Sequence, residues 1–182
     1  MRDSALRVLR QNDLGGWTKP APRLYPHQWS WDSAFVAIAL ARVDPDRALR
    51  ELETLFAAQW ADGRVPHIVF NPAAADYFPG PEWWASARTS PLAPRAPATS
   101  GLIQPPVHAL ALQPLLSVAR ERRDHPLEQR IAALFPRVVA WHRYLATNRD
   151  AAGSGLLTIY HPWESGTDNS PRWDIPLARV RP

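Results

Sequence analysis

Stretches with helical hydrophobic spacing alternate along this chain with long aromatic, proline-rich stretches. Ala5, Leu6, Val8 and Leu9 give Ser4 to Asn12 the spacing of one short amphipathic helix. Gly15, Gly16, Pro20, Pro22 and Pro26 then impose an irregular loop. From Asp32 to Val43, the residues Phe35, Val36, Ile38, Ala39 and Leu40 leave almost no polar face. That pattern predicts a helix buried all round. Asp44-Pro45 restarts the chain, with Asp44 placed to cap and Pro45 suited to a first helical position. The next helix is expected over about Pro45 to Ala61. Leu49, Leu52, Leu55, Phe56 and Gln59 or Trp60 make one face. Arg47, Arg50, Glu51 and Glu53 make the other, and Gly63 ends the helix. So short a connection makes the two helices an antiparallel pair.

Arg64 to Phe78 reads as an extended loop holding a short Ile68-Val69-Phe70 run. Three prolines in Ser90 to Ala98 predict a flexible loop over 90–98. Helix returns over about Pro106 to Arg122, then from Pro126 to about Asn148. In the second of these, Leu127, Ile131, Leu134, Val138, Trp141 and Leu145 alternate four and three apart, and Pro136 is expected to kink or split it. Gly153 and Gly155 turn the chain, Leu156 to Tyr160 is a strand-like run, and Ser170-Pro171 starts another helix. The expected fold is all-α, built of helical hairpins joined by long loops. No series of strands and no sequence repeat supports a sandwich, a barrel of strands or a dinucleotide-binding sheet.

The 182 residues suit one domain, and 46% hydrophobic with 21% charged excludes a wholly disordered chain. No apolar run approaches the roughly 20 residues of a membrane helix, and Met1 to Asn12 has no signal-peptide core. A cytoplasmic protein without a membrane partner is therefore expected. With no cysteine, disulfides, thiolate metal sites and thiol nucleophiles are excluded. The six histidines show no metal-ligand spacing, so neither metal nor cofactor is expected. A net charge of +4 raises nucleic acid as a partner. The basic residues are scattered among acids, and the densest cluster, Arg120, Arg122 and Arg123, is interrupted by Glu121. It reads as a solvated helix end rather than a nucleic-acid surface.

Nine tryptophans and 20 prolines stand out, because tryptophans held in proline-rich loops make stacking platforms. Three loops set aromatic rings beside carboxylates or amides. They are Tyr25-Pro26-His27-Gln28-Trp29-Ser30-Trp31-Asp32-Ser33, Thr99 to Pro106 around Gln104, and His161 to Asp174 with Trp163, Glu164, Gly166, Asp168 and Trp173. Flat rings stack on the apolar face of a sugar, and carboxylates take its hydroxyls in charge-assisted hydrogen bonds. The bland alternatives are plain: Asp32 and Ser33 as helix caps, Trp29 and Trp31 as core, Gln104 as a helix entry. In the third loop a capping Ser170 and an Asp174–Arg172 pair leave Asp168, behind a glycine turn, without a structural duty.

Trp31-Asp32-Ser33, Gly63-Arg64-Val65-Pro66-His67, Gln104-Pro105-Pro106 and Glu164-Ser165-Gly166-Thr167-Asp168-Asn169-Ser170-Pro171-Arg172-Trp173-Asp174 occur in the order found in a clan of inverting glycosidases. From Tyr25 to Asp174 the chain resembles glycoside hydrolase family 63, within it the mannosylglycerate and glucosylglycerate hydrolase-like proteins, and more distantly the family 37 trehalases. The resemblance implies the N-terminal portion of an (α/α)6 toroid of twelve helices, with residues 1–182 part of that single domain. It implies an α-glucoside or α-mannoside of glycerate as substrate, with Asp168 as general acid. Trp31 and Asp32 would hold the sugar, Gln104 would line the same pocket, and Tyr25, Trp29, Trp163 and Gly166 would form its walls. The family's general base is a Glu in the second half of the toroid, for which this sequence offers no match. The rival expectation is a non-catalytic carbohydrate-binding or interaction module.

Overall fold

In the computed structural model, residues 2–74 and 76–180 are described. The chain opens with α1 (Arg2–Asn12), then a two-residue strand β1 (Gln28–Trp29), followed by α2 (Ser30–Leu40) and α3 (Pro45–Ala57). A second short strand, β2 (Ile68–Val69), and the single-turn helices α4 (Pro81–Trp84) and α5 (Ser86–Thr89) come next. Two long helices, α6 (His108–Arg122) and α7 (His125–Asn148), complete the core. Two 3-10 turns, Pro162–Ser165 and Pro171–Trp173, precede a last turn, α8 (Asp174–Leu177).

The helix starts follow local chemistry. Asp44 accepts from the Arg47 N–H at 3.0 Å and Asp124 from the Leu127 N–H at 3.0 Å, each satisfying one of the orphan donors of a first turn. Prolines at or next to the first helical position cost nothing there, because that N–H has no intrahelical partner. Arg123, with φ +57°, turns the chain between α6 and α7. Pro136 lies inside α7 and does not split it.

The expected antiparallel pair is α2 on α3, and α6 packs on both. Ala34, Ala37 and Ala41 are fully buried, and their small side chains let the neighbouring helices approach α2 closely. Leu49, Leu52, Leu55 and Phe56 of α3 share one core with Leu115 of α6 and the Leu127, Ile131, Leu134, Val138, Trp141 seam of α7. Each such side chain contributes about 1.5–3 kcal/mol by leaving water.

Several expectations fail here. The second helix begins at Ser30 rather than Asp32, and it is not buried all round: Phe35 is 49% and Ile38 38% exposed. On α3, Arg47 and Glu51 are buried, not on a solvated face, because the 13–18 loop folds over them. Leu156 to Tyr160 forms no strand; all five residues are exposed. The short helices α4 and α5 have no periodic signal in the sequence.

A small ribbon ties the loops to this core. β1 pairs antiparallel with β2, Gln28 opposite Val69 and Trp29 opposite Ile68. Thr99 bridges Val69 on the other side. Backbone bonds from Ser30 N to His67 O (3.0 Å) and His67 N to Leu102 O (2.9 Å) extend it. The ribbon therefore brings the Trp29–Asp32, His67 and Gln104 segments to one end of the helices. The 90–98 segment is anchored by Ala61 N to Leu92 O and Phe70 N to Ala98 O, both 2.9 Å.

Candidate active site

A cleft of about 360 Å³ opens where these loops meet. Its lining includes Tyr25, Trp29, Trp31, Asp32, Gln104, Trp163, Gly166 and Asp168, so the structure brings together all eight residues singled out from the sequence. An adjoining chamber of about 230 Å³ shares Tyr25, Trp29, Gln104, Trp163 and Asp168, and adds His67 and Tyr77. A larger groove, about 610 Å³, runs between α6 and α7; its lining, such as Leu112, Ile131 and Val138, is mainly aliphatic and holds none of the residues singled out from the sequence.

The first wall comes from β1 and the start of α2. Trp29 is buried, with Tyr25 edge-on at 5.1 Å and His27 stacked at 5.7 Å. No side chain of its own segment caps α2. The Gln104 amide oxygen does so from another loop, accepting from the Trp31 N–H at 3.1 Å. Gln104 thus fixes Trp31 and leaves its amide nitrogen as the remaining donor. Asp32 sits in the first turn of α2, where the helix dipole favours a negative charge. Burial nevertheless pushes its carboxyl up to about 6; its own backbone N–H and the Trp31 side chain oppose the shift, and the Glu51 charge adds to it. Asp32 is not the helix cap.

Beneath this wall lies a polar network that sequence reasoning missed. Glu51 accepts from Ser33 Oγ at 2.7 Å, Thr18 Oγ1 at 2.8 Å and Arg47 at 2.8 Å. Gln28 donates to Ser33 Oγ at 3.1 Å and to the Glu51 carbonyl at 2.9 Å. Its one sequence signal is the set of polar residues in the 13–18 loop, which can face an i,i+4 Arg–Glu pair.

The opposite wall is the 161–168 turn. His161 caps it, its Nδ1 accepting from Trp163 N at 3.2 Å. Gly166 adopts φ +69°, and a Cβ there would lie 2.7 Å from two Trp31 ring carbons and 3.2 Å from Pro105 Cγ. Only glycine lets this turn close onto Trp31 and the Gln104 loop. The three acids of the segment separate sharply. Glu164 is buried and accepts four hydrogen bonds, two from Arg149 and one each from Ile103 N and Tyr160 N. Asp174 is exposed on α8. Asp168 alone lines both chambers.

His67 closes the floor. Ser100 Oγ accepts from Ile68 N at 3.1 Å and bonds His67 Nδ1. Burial drops the imidazole to about 3, so it is neutral at any physiological pH. His67 belongs to the Gly63–His67 motif, the signal that could have placed it here. Tyr77, edge-on to Trp29 at 5.4 Å, has no such signal. Among the described residues no group of three or more His, Asp or Glu is arranged to hold a metal ion. None of their helices is long and apolar enough to cross a membrane.

Comparison with known proteins shows the family. The model of the mannosylglycerate hydrolase MGH1-like glycoside hydrolase domain matches residues 25–182. The chain belongs to this family. It is 52% identical over 181 residues to the glucosylglycerate hydrolase of Mycolicibacterium hassiacum, covering 98% of this chain and 41% of that one. It is 53% identical over 176 residues to the mannosylglycerate hydrolase of Rubrobacter radiotolerans, covering 97% of this chain and 39% of that one. The family 63 mannosylglycerate hydrolase from Thermus thermophilus, solved with Tris and D-glycerate, superposes with a TM-score of 0.87. The identity is 46%, over 99% of this chain and 41% of that chain. The same enzyme solved with glucose gives 0.81 at 47% identity, over the same shares of the two chains. The mostly helical structure thus matches the N-terminal portion of a family 63 helical toroid. The chain spans about two-fifths of the length of these relatives.

Proposed function

We propose that this chain supplies the sugar-binding half and the general acid of an inverting glycosidase. Its substrate would be an α-linked glucoside or mannoside of glycerate. The observation that carries the proposal is the contrast between Glu164 and Asp168. Glu164 has its oxygens occupied by four donors and is unfit for proton transfer. Asp168, four residues on, faces both chambers of the aromatic cleft. The relatives' names point to glycerate glycosides, and the Thermus thermophilus structures hold glucose and D-glycerate.

On this reading a pyranose stacks on Trp31 and Trp163, and Asp32 accepts from its hydroxyls. Gln104 donates through its free amide nitrogen, and Asp168 protonates the departing oxygen. Inversion needs a second carboxylate about 6.5–9.5 Å from the acid, activating water on the opposite face. The resemblance assigns that role to a Glu in the part of the family's chains that these residues do not span.

The test is a leaving-group comparison in a chain completed with the C-terminal remainder of the Mycolicibacterium relative. Asp168→Asn is expected to abolish most of kcat on glucosylglycerate, by about 10²–10⁴-fold as for other positioned acids. It should cost far less on a dinitrophenyl glucoside, whose leaving group needs no proton. Equal losses on both substrates would remove Asp168 from the acid's role.

A further inference from the structure

We infer that the buried Arg149–Glu164 pair is a positioning device, setting the register between the Gln104 loop and the Asp168 turn. The inference rests on the reading of the cleft as a sugar site. Both Glu164 oxygens are shared between Arg149 and a loop backbone: Oε1 accepts from Arg149 at 2.8 Å and from Ile103 N at 3.2 Å, and Oε2 accepts from Arg149 at 2.8 Å and Tyr160 N at 2.8 Å. Ile103 precedes Gln104, and Glu164 follows Trp163. One carboxylate therefore joins two of the segments that line the cleft.

Arg149 carries this position back to the core. Its Nε donates to the Tyr144 hydroxyl at 3.3 Å, and Tyr144 stacks on the wholly buried Trp141 at 5.6 Å. Its guanidinium lies 4.3 Å over the Tyr160 ring. Burial disfavours the Arg149 charge, but the bonds to Glu164 and Tyr144 hold its pKa above the ordinary value. A buried ion pair adds little net stability over a well-packed apolar pair. What it adds is direction: a planar fork meets a carboxylate in one arrangement only. Neither segment belongs to a strand or to a long helix, so their mutual placement needs that kind of constraint.

The experiment compares Glu164→Gln and the milder Arg149→Lys with Leu134→Ala, a cavity in α7 whose loss of Tm serves as the matched control. Glucose binding is read by tryptophan fluorescence, and amide exchange is read in segments 101–106 and 161–168. Both pair variants are expected to weaken glucose binding by about tenfold or more, since a misplacement of about 1 Å costs up to about 10²-fold, while the control changes little. Exchange should rise in both segments together. Equal glucose affinity in the pair variants and the control, or faster exchange in 161–168 alone, would overturn the inference. Failure of the unmodified chain to bind glucose would count against the sugar-site reading, and the exchange comparison would still decide the positioning role.

Discussion

Gly166 offers the sharpest separation of local strain from tertiary contact. Gly166 has φ +69° and Gly153 has φ +62°, so alanine meets the same left-handed backbone at both. That conformation costs an L-residue roughly 1–2 kcal/mol. The surroundings differ entirely. Nothing lies within 4 Å of a Cβ at Gly153, whereas at Gly166 two Trp31 ring carbons lie at 2.7 Å and Pro105 Cγ at 3.2 Å. Neither neighbour is the free end of a flexible chain. Forcing a methyl between them adds about 1–3 kcal/mol of overpacking. In a domain of this size each kcal/mol moves Tm by about 2–4 °C. Thermal unfolding followed by circular dichroism should therefore place Gly166→Ala below Gly153→Ala by about 2–12 °C. Glucose titration should show weakened binding only for Gly166→Ala, because displacing Trp31 displaces the stacking face beside Asp32. Equal Tm losses with unchanged glucose affinity would refute the close approach and the wall assignment together.

Two further outcomes concern the half-buried Asp32 and the buried Glu51. Asp32 has a folded-state value near 6, above the ordinary carboxylate value, so its contribution to stability is fullest below about pH 4 and is lost as pH rises through 6. Asp32→Asn should then be more stable than the parent at pH 8 and not at pH 4; on the sugar-site reading the parent's glucose affinity should rise through pH 6 as Asp32 ionises and becomes a charged acceptor, and the variant should lose that rise, as calorimetry across the range would show. Glu51→Ala, which leaves Arg47 buried beside Asp13, should cost about 3–5 kcal/mol in urea denaturation, whereas Glu121→Ala, which breaks an exposed pair with Arg42, should cost less than about 1 kcal/mol. Similar losses in the two would remove the Glu51 network from the scaffold.

Helix spacing makes α3, α6 and α7 readable, because their apolar seams repeat at the helical period, and α3 and α7 also start with Asp caps and prolines. The cleft residues are readable for another reason: rings and acids that no amphipathic face needs must have other duties, and the quoted motifs supply the order. Periodicity fails where the third dimension intervenes. α2 looks buried all round because Phe35 and Ile38 are apolar, yet exposure depends on which neighbours reach that face. Arg47 and Glu51 look like a solvated i,i+4 pair, and only the return of Thr18 and Asp13 over α3 buries them. Gln104 as the cap of α2 is equally invisible, since donor and acceptor lie 73 residues apart.

The walls of the cleft share one construction. Each aromatic wall sits on loops rich in proline, which lack the backbone donors to build a wider sheet, and the ribbon of β1 and β2 is only two residues long. A hydrophobic core cannot supply the missing order there, because apolar contact is non-directional and leaves a ring free to tilt. Directional contacts must do it, and each wall has one buried arginine meeting one buried glutamate. Arg47 and Glu51 pair within α3 beneath the Trp29–Asp32 wall, and Arg149 projects from the end of α7 to Glu164 beneath the Trp163–Asp168 wall. In both the arginine belongs to, or directly follows, a helix packed into the core; Glu51 gathers Thr18 of the 13–18 loop and Ser33 of α2, and Glu164 gathers the backbone of Ile103 and Tyr160. The helices thus hand their rigidity to the stacking faces through two charge-assisted junctions. On the proposed sugar-site reading, a ring gripped between Trp31 and Trp163 needs both faces held at a fixed spacing, which neither the prolines nor the tryptophans can set alone.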